Sequence, residues 1–171
     1  MIYKVMKKFA FILISLFCSF QMYSQLQSQF FECVLGKTSE KTVFNKLRQQ
    51  KYNPSYYDQI LFVNNIKFGS ATWPCAAFYF QNDKLSEVRF MLDNTTTTRQ
   101  SIRNTYISLR SMLLEKYRKN LLNQKPESIS FGDREVIIVL TIEEDDIPNV
   151  LLRYLYAPFI IHDRDNGMGE L

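Results

Sequence analysis

The feature that most constrains the fold is the shortness of the polar breaks between apolar runs in the middle of the chain. Gln59 to Val63 and Ile66 to Ala71 are separated only by Asn64-Asn65, and Ala76 to Phe80 and Leu85 to Leu92 only by Gln81-Asn82-Asp83-Lys84. Such breaks suit tight hairpins but cannot hold the dozen or more residues of a parallel crossover. Asn tolerates the positive φ angles that tight turns demand, so both breaks read as hairpins. In the last run Val88, Phe90 and Leu92 alternate with Glu87 and Arg89. That is the pattern of a strand with one buried and one wet face.

Two helical patterns bracket these strands. Leu35-Gly36-Lys37-Thr38 leads into the first, with Thr38 as N-cap, Glu40 in the first turn, and Val43, Phe44 and Leu47 on one face before Asn53-Pro54 ends it. In the second, Thr97 to Gln100 fits a capping box, and Ile102, Tyr106, Leu109, Leu113 and Tyr117 recur at spacings of four and three. After Pro126 come two further strands, Glu135 to Glu143 and Val150 to Tyr156, joined by the acidic turn Glu144-Asp145-Asp146-Ile147-Pro148-Asn149. The expected architecture is α+β, an antiparallel sheet of about five to six strands with two helices packed on one face. No internal repeat or low-complexity linker is visible, so residues 25–158 read as one domain and 159–171 as a loosely ordered tail.

The start of the chain has a different character. Lys4, Lys7 and Lys8 precede the uncharged run Phe9 to Phe20, and Gln21, Ser24 and Gln25 close it. A basic segment followed by about a dozen apolar residues is the pattern of a cleavable secretory signal, and a membrane-spanning helix needs about 20. Residues 1–24 are therefore expected to be removed after Ser24, with the product in the periplasm or outside the cell and no stable membrane anchor. Phe17 before Cys18 does not fit the small residue that precedes a lipid-modified cysteine. The net charge of +4 then loses its meaning: three of the 21 basic residues lie in the signal, which leaves 18 against 17 acidic. So even a balance does not point to nucleic acid.

Cys33 and Cys75 remain beyond the signal, and an even count in an oxidising compartment predicts a disulfide. Closing that loop would stabilise the domain by on the order of 4 kcal/mol. Catalytic and metal chemistry find little footing. The sole histidine, His162, lies beside Asp163 in the tail, and one His with two distant Cys does not make a zinc site. Asp163, Asp165, Asn166 and Gly167 match a calcium loop incompletely. No cofactor motif is present, and the five glycines offer little for a phosphate cradle. No catalytic residue, metal ligand or cofactor is therefore expected. A candidate binding surface is Tyr79, Tyr154 and Tyr156 on the open face of the sheet, with Trp73 either an exposed anchor or a cap on the core.

Leu35-Gly36-Lys37-Thr38, followed by Val43 and Leu47, and the hairpin Phe78 to Phe90 resemble small exported domains similar to β-lactamase-inhibitor protein and the SmpA-type outer-membrane assembly lipoproteins. Leu113-Leu114-Glu115-Lys116-Tyr117 resembles a helix ending common in such domains, with Arg118 where they have Gly. The resemblance implies a protein-binding domain without catalysis and names no partner. The functional expectation is thus an exported, non-catalytic module that engages another protein in the cell envelope or outside the cell. The alternatives are a binder of a sugar or apolar small molecule between helix and sheet, and a small hydrolase using the acidic turn.

Overall fold

The computed structural model describes residues 25–69, 71–93, 98–143 and 148–160. The signal segment, His162 and the acidic residues Glu144, Asp145 and Asp146 lie outside them. A small hairpin of β1 (Gln29–Phe30) and β2 (Cys33–Val34) leads into helix α1 (Glu40–Gln49). Four strands follow: β3 (Ser55–Tyr57), β4 (Ile60–Phe68), β5 (Ala71–Gln81) and β6 (Lys84–Asp93). Helix α2 (Arg99–Tyr117) runs on through a 3-10 turn (Arg118–Asn120) into β7 (Leu121–Gln124), β8 (Ser128–Gly132), β9 (Val136–Glu143) and β10 (Asn149–Tyr156), and 157–160 form a third, short helical turn.

The expected five to six strands with two helices are corrected here. The larger sheet has eight strands, all antiparallel, in the order β3-β4-β5-β6-β10-β9-β8-β7, and β1-β2 is a separate two-stranded sheet. The chain makes the same move twice. A helix precedes a four-stranded meander, and the last strands of the two meanders, β6 and β10, pair at the centre. Sequence alone displays no repeat because the two units share connectivity and not residue identities.

Local chemistry explains most of the turns. Asn82 and Asp83 both have positive φ, 52° and 59°, as the tight β5–β6 hairpin requires. Asn64-Asn65, expected to be a turn, lies inside the continuous strand β4. Asn65 does adopt a left-handed φ of 55°, but it uses it to switch faces. Leu61 and Val63 before it, and Ile66 after it, all point into the core, an odd spacing that regular pleating forbids. Pro74, which has no N–H to offer, stands opposite on β5.

Both helices and the β1–β2 hairpin pack on one face of the sheet. Val43 and Leu47 of α1 and Ile102, Tyr106, Leu113 and Tyr117 of α2 are buried in one core with Phe78, Phe90, Phe131, Leu140 and Leu152. The predicted α2 stripe is therefore the buried one. The helix caps sit one residue later than expected. Ser39 takes the N-cap position of α1 without a side-chain capping bond, while the Thr38 hydroxyl accepts a hydrogen bond from the Val34 N–H at 2.8 Å. Thr98 caps α2 by accepting from the Ser101 N–H at 3.3 Å. Gly36, at φ 72°, lets the chain enter α1 against the ring of Tyr156, where any Cβ would collide with the aromatic carbons.

Candidate interaction surface

Cross-strand register sets the helix-free face of the sheet. On it lie three rows of neighbours: Cys75, Met91, Leu151 and Thr141; then Ala77, Arg89, Arg153 and Val139; then Tyr79, Glu87, Leu155 and Ile137. Most of these side chains are apolar, and no helix covers them among the described residues. A bulge at Ser86, where Tyr79 pairs with Glu87 and Phe80 with Leu85, returns Leu85 to the core.

At the centre of this face two guanidiniums oppose each other. Arg89 and Arg153 are direct cross-strand partners, an arrangement that is unfavourable for like charges by itself. Glu87, one step away on the same face, resolves it. Its Oε1 accepts from Arg89 Nε at 2.9 Å and Arg153 Nε at 2.8 Å, and its Oε2 accepts from Arg153 Nη2 at 3.1 Å. Glu87 is 8 % exposed, whereas both arginine side chains keep about a quarter of their surface open, at 26 %. Burial alone would raise the Glu87 pKa, but the hydrogen bonds from Arg153 and Arg89 outweigh it and hold the carboxyl below its ordinary value. Those same bonds raise Arg153. The Arg89 guanidinium also stacks over Tyr79, with Cζ 4.6 Å from the ring centroid, and partial burial pushes the Tyr79 phenol up. Two cations share one anion, and the terminal nitrogens of Arg89 bond to no described residue.

Of the four aromatic residues expected on a binding surface, only Tyr79 lies on this face. Tyr154 is 3 % exposed and sits in the core against Phe30, with ring centroids 4.7 Å apart. Tyr156 points to the same side, against Gly36 and Phe159. Trp73 is 3 % exposed and packs on Phe90, so it caps the core and is not an exposed anchor. The cause is the pleat of β10: Val150, Leu152, Tyr154 and Tyr156 form the inward set, Leu151, Arg153 and Leu155 the outward one. The cysteines are corrected too. Cys33 and Cys75 do not bridge each other: Cys33 lies in the core and Cys75 on the opposite face of the sheet, so the sheet separates them. Burial drives the Cys33 thiol up to about 11.

Sequence reading missed Glu87, Arg89 and Arg153 as a unit. Two signals were available: opposite charges at alternate positions of β6, and a lone Arg in the middle of the apolar run Val150 to Tyr156. Comparison with protein-family models, curated proteins and solved structures finds no match.

Proposed function

We propose that this chain is an exported, non-catalytic binding module that engages another protein through the helix-free face of its sheet, centred on Arg89, Arg153 and Tyr79. The observation that carries the reading is the pair of guanidiniums sharing a single carboxylate in the middle of an apolar field. Arg, Tyr and Met are the residue types that dominate protein contact surfaces. Arg89 is held in place by Tyr79 and Glu87 before any partner arrives, so little side-chain entropy is lost on binding.

Charge complementarity supports one kind of partner. Two cations against one anion leave a surplus positive charge, so the partner presents an apolar surface with an acidic side chain at its centre. A second copy of this chain does not fit, because it would set one arginine pair against another. The lysine-flanked apolar start of the chain supports export, and the hairpin and helix-entry motifs resemble those of exported protein-binding domains.

The test is retention of a partner from envelope extract on the wild-type chain and on a triple variant, Glu87→Leu with Arg89→Leu and Arg153→Leu. The triple change keeps the face apolar while removing its charge pattern. The reading requires one protein, held by the wild type with salt-sensitive affinity and lost by a triple variant that melts normally. Equal retention by both chains, or no specific retention by the wild type, overturns it.

A further inference from the structure

On the other side of the sheet, α2 stands away from the β4–β5 end and from β10 and leaves a cavity of about 210 Å³. Trp73, Leu109, Leu113 and Leu152 form its apolar walls, and Lys116, exposed on α2, stands at its edge. A dry apolar cavity of about 150 Å³ is large enough to take up benzene, so this one holds a slightly larger body.

Two tyrosines give the cavity its chemistry. Tyr117 and Tyr154 both line it and are 1 % and 3 % exposed. Neither hydroxyl forms a hydrogen bond with a described residue, although buried phenols ordinarily find a partner. Burial, and to a lesser degree Tyr117, pushes the Tyr154 phenol upward, so at neutral pH it is a protonated donor. Lys116 adds a cation, its Nζ 4.9 Å from the centroid of the Tyr117 ring. Among the described residues the lining contains no Asp or Glu. Trp73 Nε1 is a buried donor with no partner, and Gln27, whose Nε2 donates to the Gln29 carbonyl, adds one amide oxygen, so the lining carries a net positive charge beside N–H and O–H donors.

We propose that this cavity is a binding site for a small monocarboxylate with a compact aromatic or branched apolar body. The carboxylate accepts from the Tyr117 and Tyr154 hydroxyls and pairs with Lys116, and the body packs on Trp73 and the leucines. The site is independent of the surface proposed above, since it lies on the opposite side of the sheet.

Trp73 is the only tryptophan in the chain, so its fluorescence reports on the wall of this cavity. Phenylacetate is titrated against the full chain, with benzyl alcohol as an uncharged control of similar body. The expected result is a saturable change in Trp73 emission and a rise in melting temperature with phenylacetate. Affinity falls about tenfold or more for benzyl alcohol and in Lys116→Met, roughly the effect of one charged contact. Ala71 also lines the cavity, and Ala71→Leu, which places bulk in it, abolishes the response. If that variant does not fold, Lys116→Met alone decides, because residue 116 is exposed on its helix. No saturable response to phenylacetate up to tens of millimolar overturns the proposal. Equal affinity for benzyl alcohol, or for Lys116→Met, also overturns it, because the cavity would then be an unselective apolar hole.

Discussion

Glu87→Gln tests whether the central ion cluster is built as the structure has it. The wild-type carboxylate accepts three hydrogen bonds from two guanidiniums, at 2.8, 2.9 and 3.1 Å. A glutamine has one acceptor oxygen for these donors and turns an NH2 group toward one of the arginines. Removing one member of a fully buried charge pair costs about 3–5 kcal/mol, because the remaining charge is stranded. Here the stranded arginines each keep 26 % of their side-chain surface in water, which softens the penalty. The expected loss is about 2–4 kcal/mol. In urea, with a slope near 2 kcal/mol per molar, the midpoint falls by about 1–2 M.

The pH dependence has a definite sign. The folded-state pKa of Glu87 is depressed below an unfolded value near 4.3. Its share of stability is therefore complete above about pH 4.3 and is lost as pH falls through the folded pKa. Wild type loses stability in that acid window and Glu87→Gln, lacking the titrating group, loses less. Chemical denaturation at a series of pH values from neutrality down to about 2 measures both effects. A midpoint for Glu87→Gln within about 0.2 M of wild type at neutral pH would falsify the account, since it would mean that water already satisfies the arginines. The triple leucine variant provides the contrast. Replacing a whole buried ion cluster by apolar groups is often neutral or stabilising, so it melts at or above wild type, whereas the single change destabilises.

Three further outcomes are expected. Gly36→Ala destabilises by about 2–4 kcal/mol, because it forces a left-handed φ on a Cβ and drives that Cβ into the Tyr156 ring; thermal melts measure it, and Tyr156→Ala in the same chain recovers part of the loss. Thr98→Ala removes the α2 cap and costs about 1 kcal/mol, read from the urea midpoint. Iodoacetamide at pH 8 alkylates Cys75 faster than Cys33, whose thiol is buried and raised to about 11; mass spectrometry of the native chain detects the difference, and urea abolishes it.

What the sequence made legible follows from how strongly each residue pattern commits to one face. The α2 stripe was readable because Ile102, Tyr106, Leu113 and Tyr117 recur at helical spacing, even though Ile107 and Met112 stand exposed on the same helix. β6 was readable because charges mark one side of it. β7 escaped because Leu121 to Gln124 is exposed throughout as an edge strand and carries no alternation. β3, at the other edge, is exposed throughout as well. β4 was split because Asn65 adopts the turn-like φ that its chemistry allows, but in a strand where both neighbours stay paired. The face of β10 was misassigned because both of its residue sets are apolar. Only Arg153 breaks the tie: with a guanidinium on the outward set, the tyrosines must point inward. The disulfide expectation rested on count and compartment, and neither contains the information that a sheet lies between the two thiols.

The two faces of the sheet obey different rules, and the difference bears on function. On the helix side several local devices serve packing or entry to an element: the Thr98 cap, the Gly36 approach to Tyr156, the turn of Asn82 and Asp83. On the other side the centre of an apolar field holds an ion cluster that no helix needs. An all-apolar row there would give a stable sheet, and a charged rim would keep it in solution. A buried ion cluster at the hub does neither task well, because desolvating Glu87 offsets much of what its hydrogen bonds contribute. What it does supply is position. Arg89 is fixed between Tyr79 and Glu87, and Arg153 is bound to Glu87 by two nitrogens, so both guanidiniums are held at defined places on the helix-free face. The two meanders meet at this point, since β6 and β10 carry one arginine each to the seam where the halves of the sheet join.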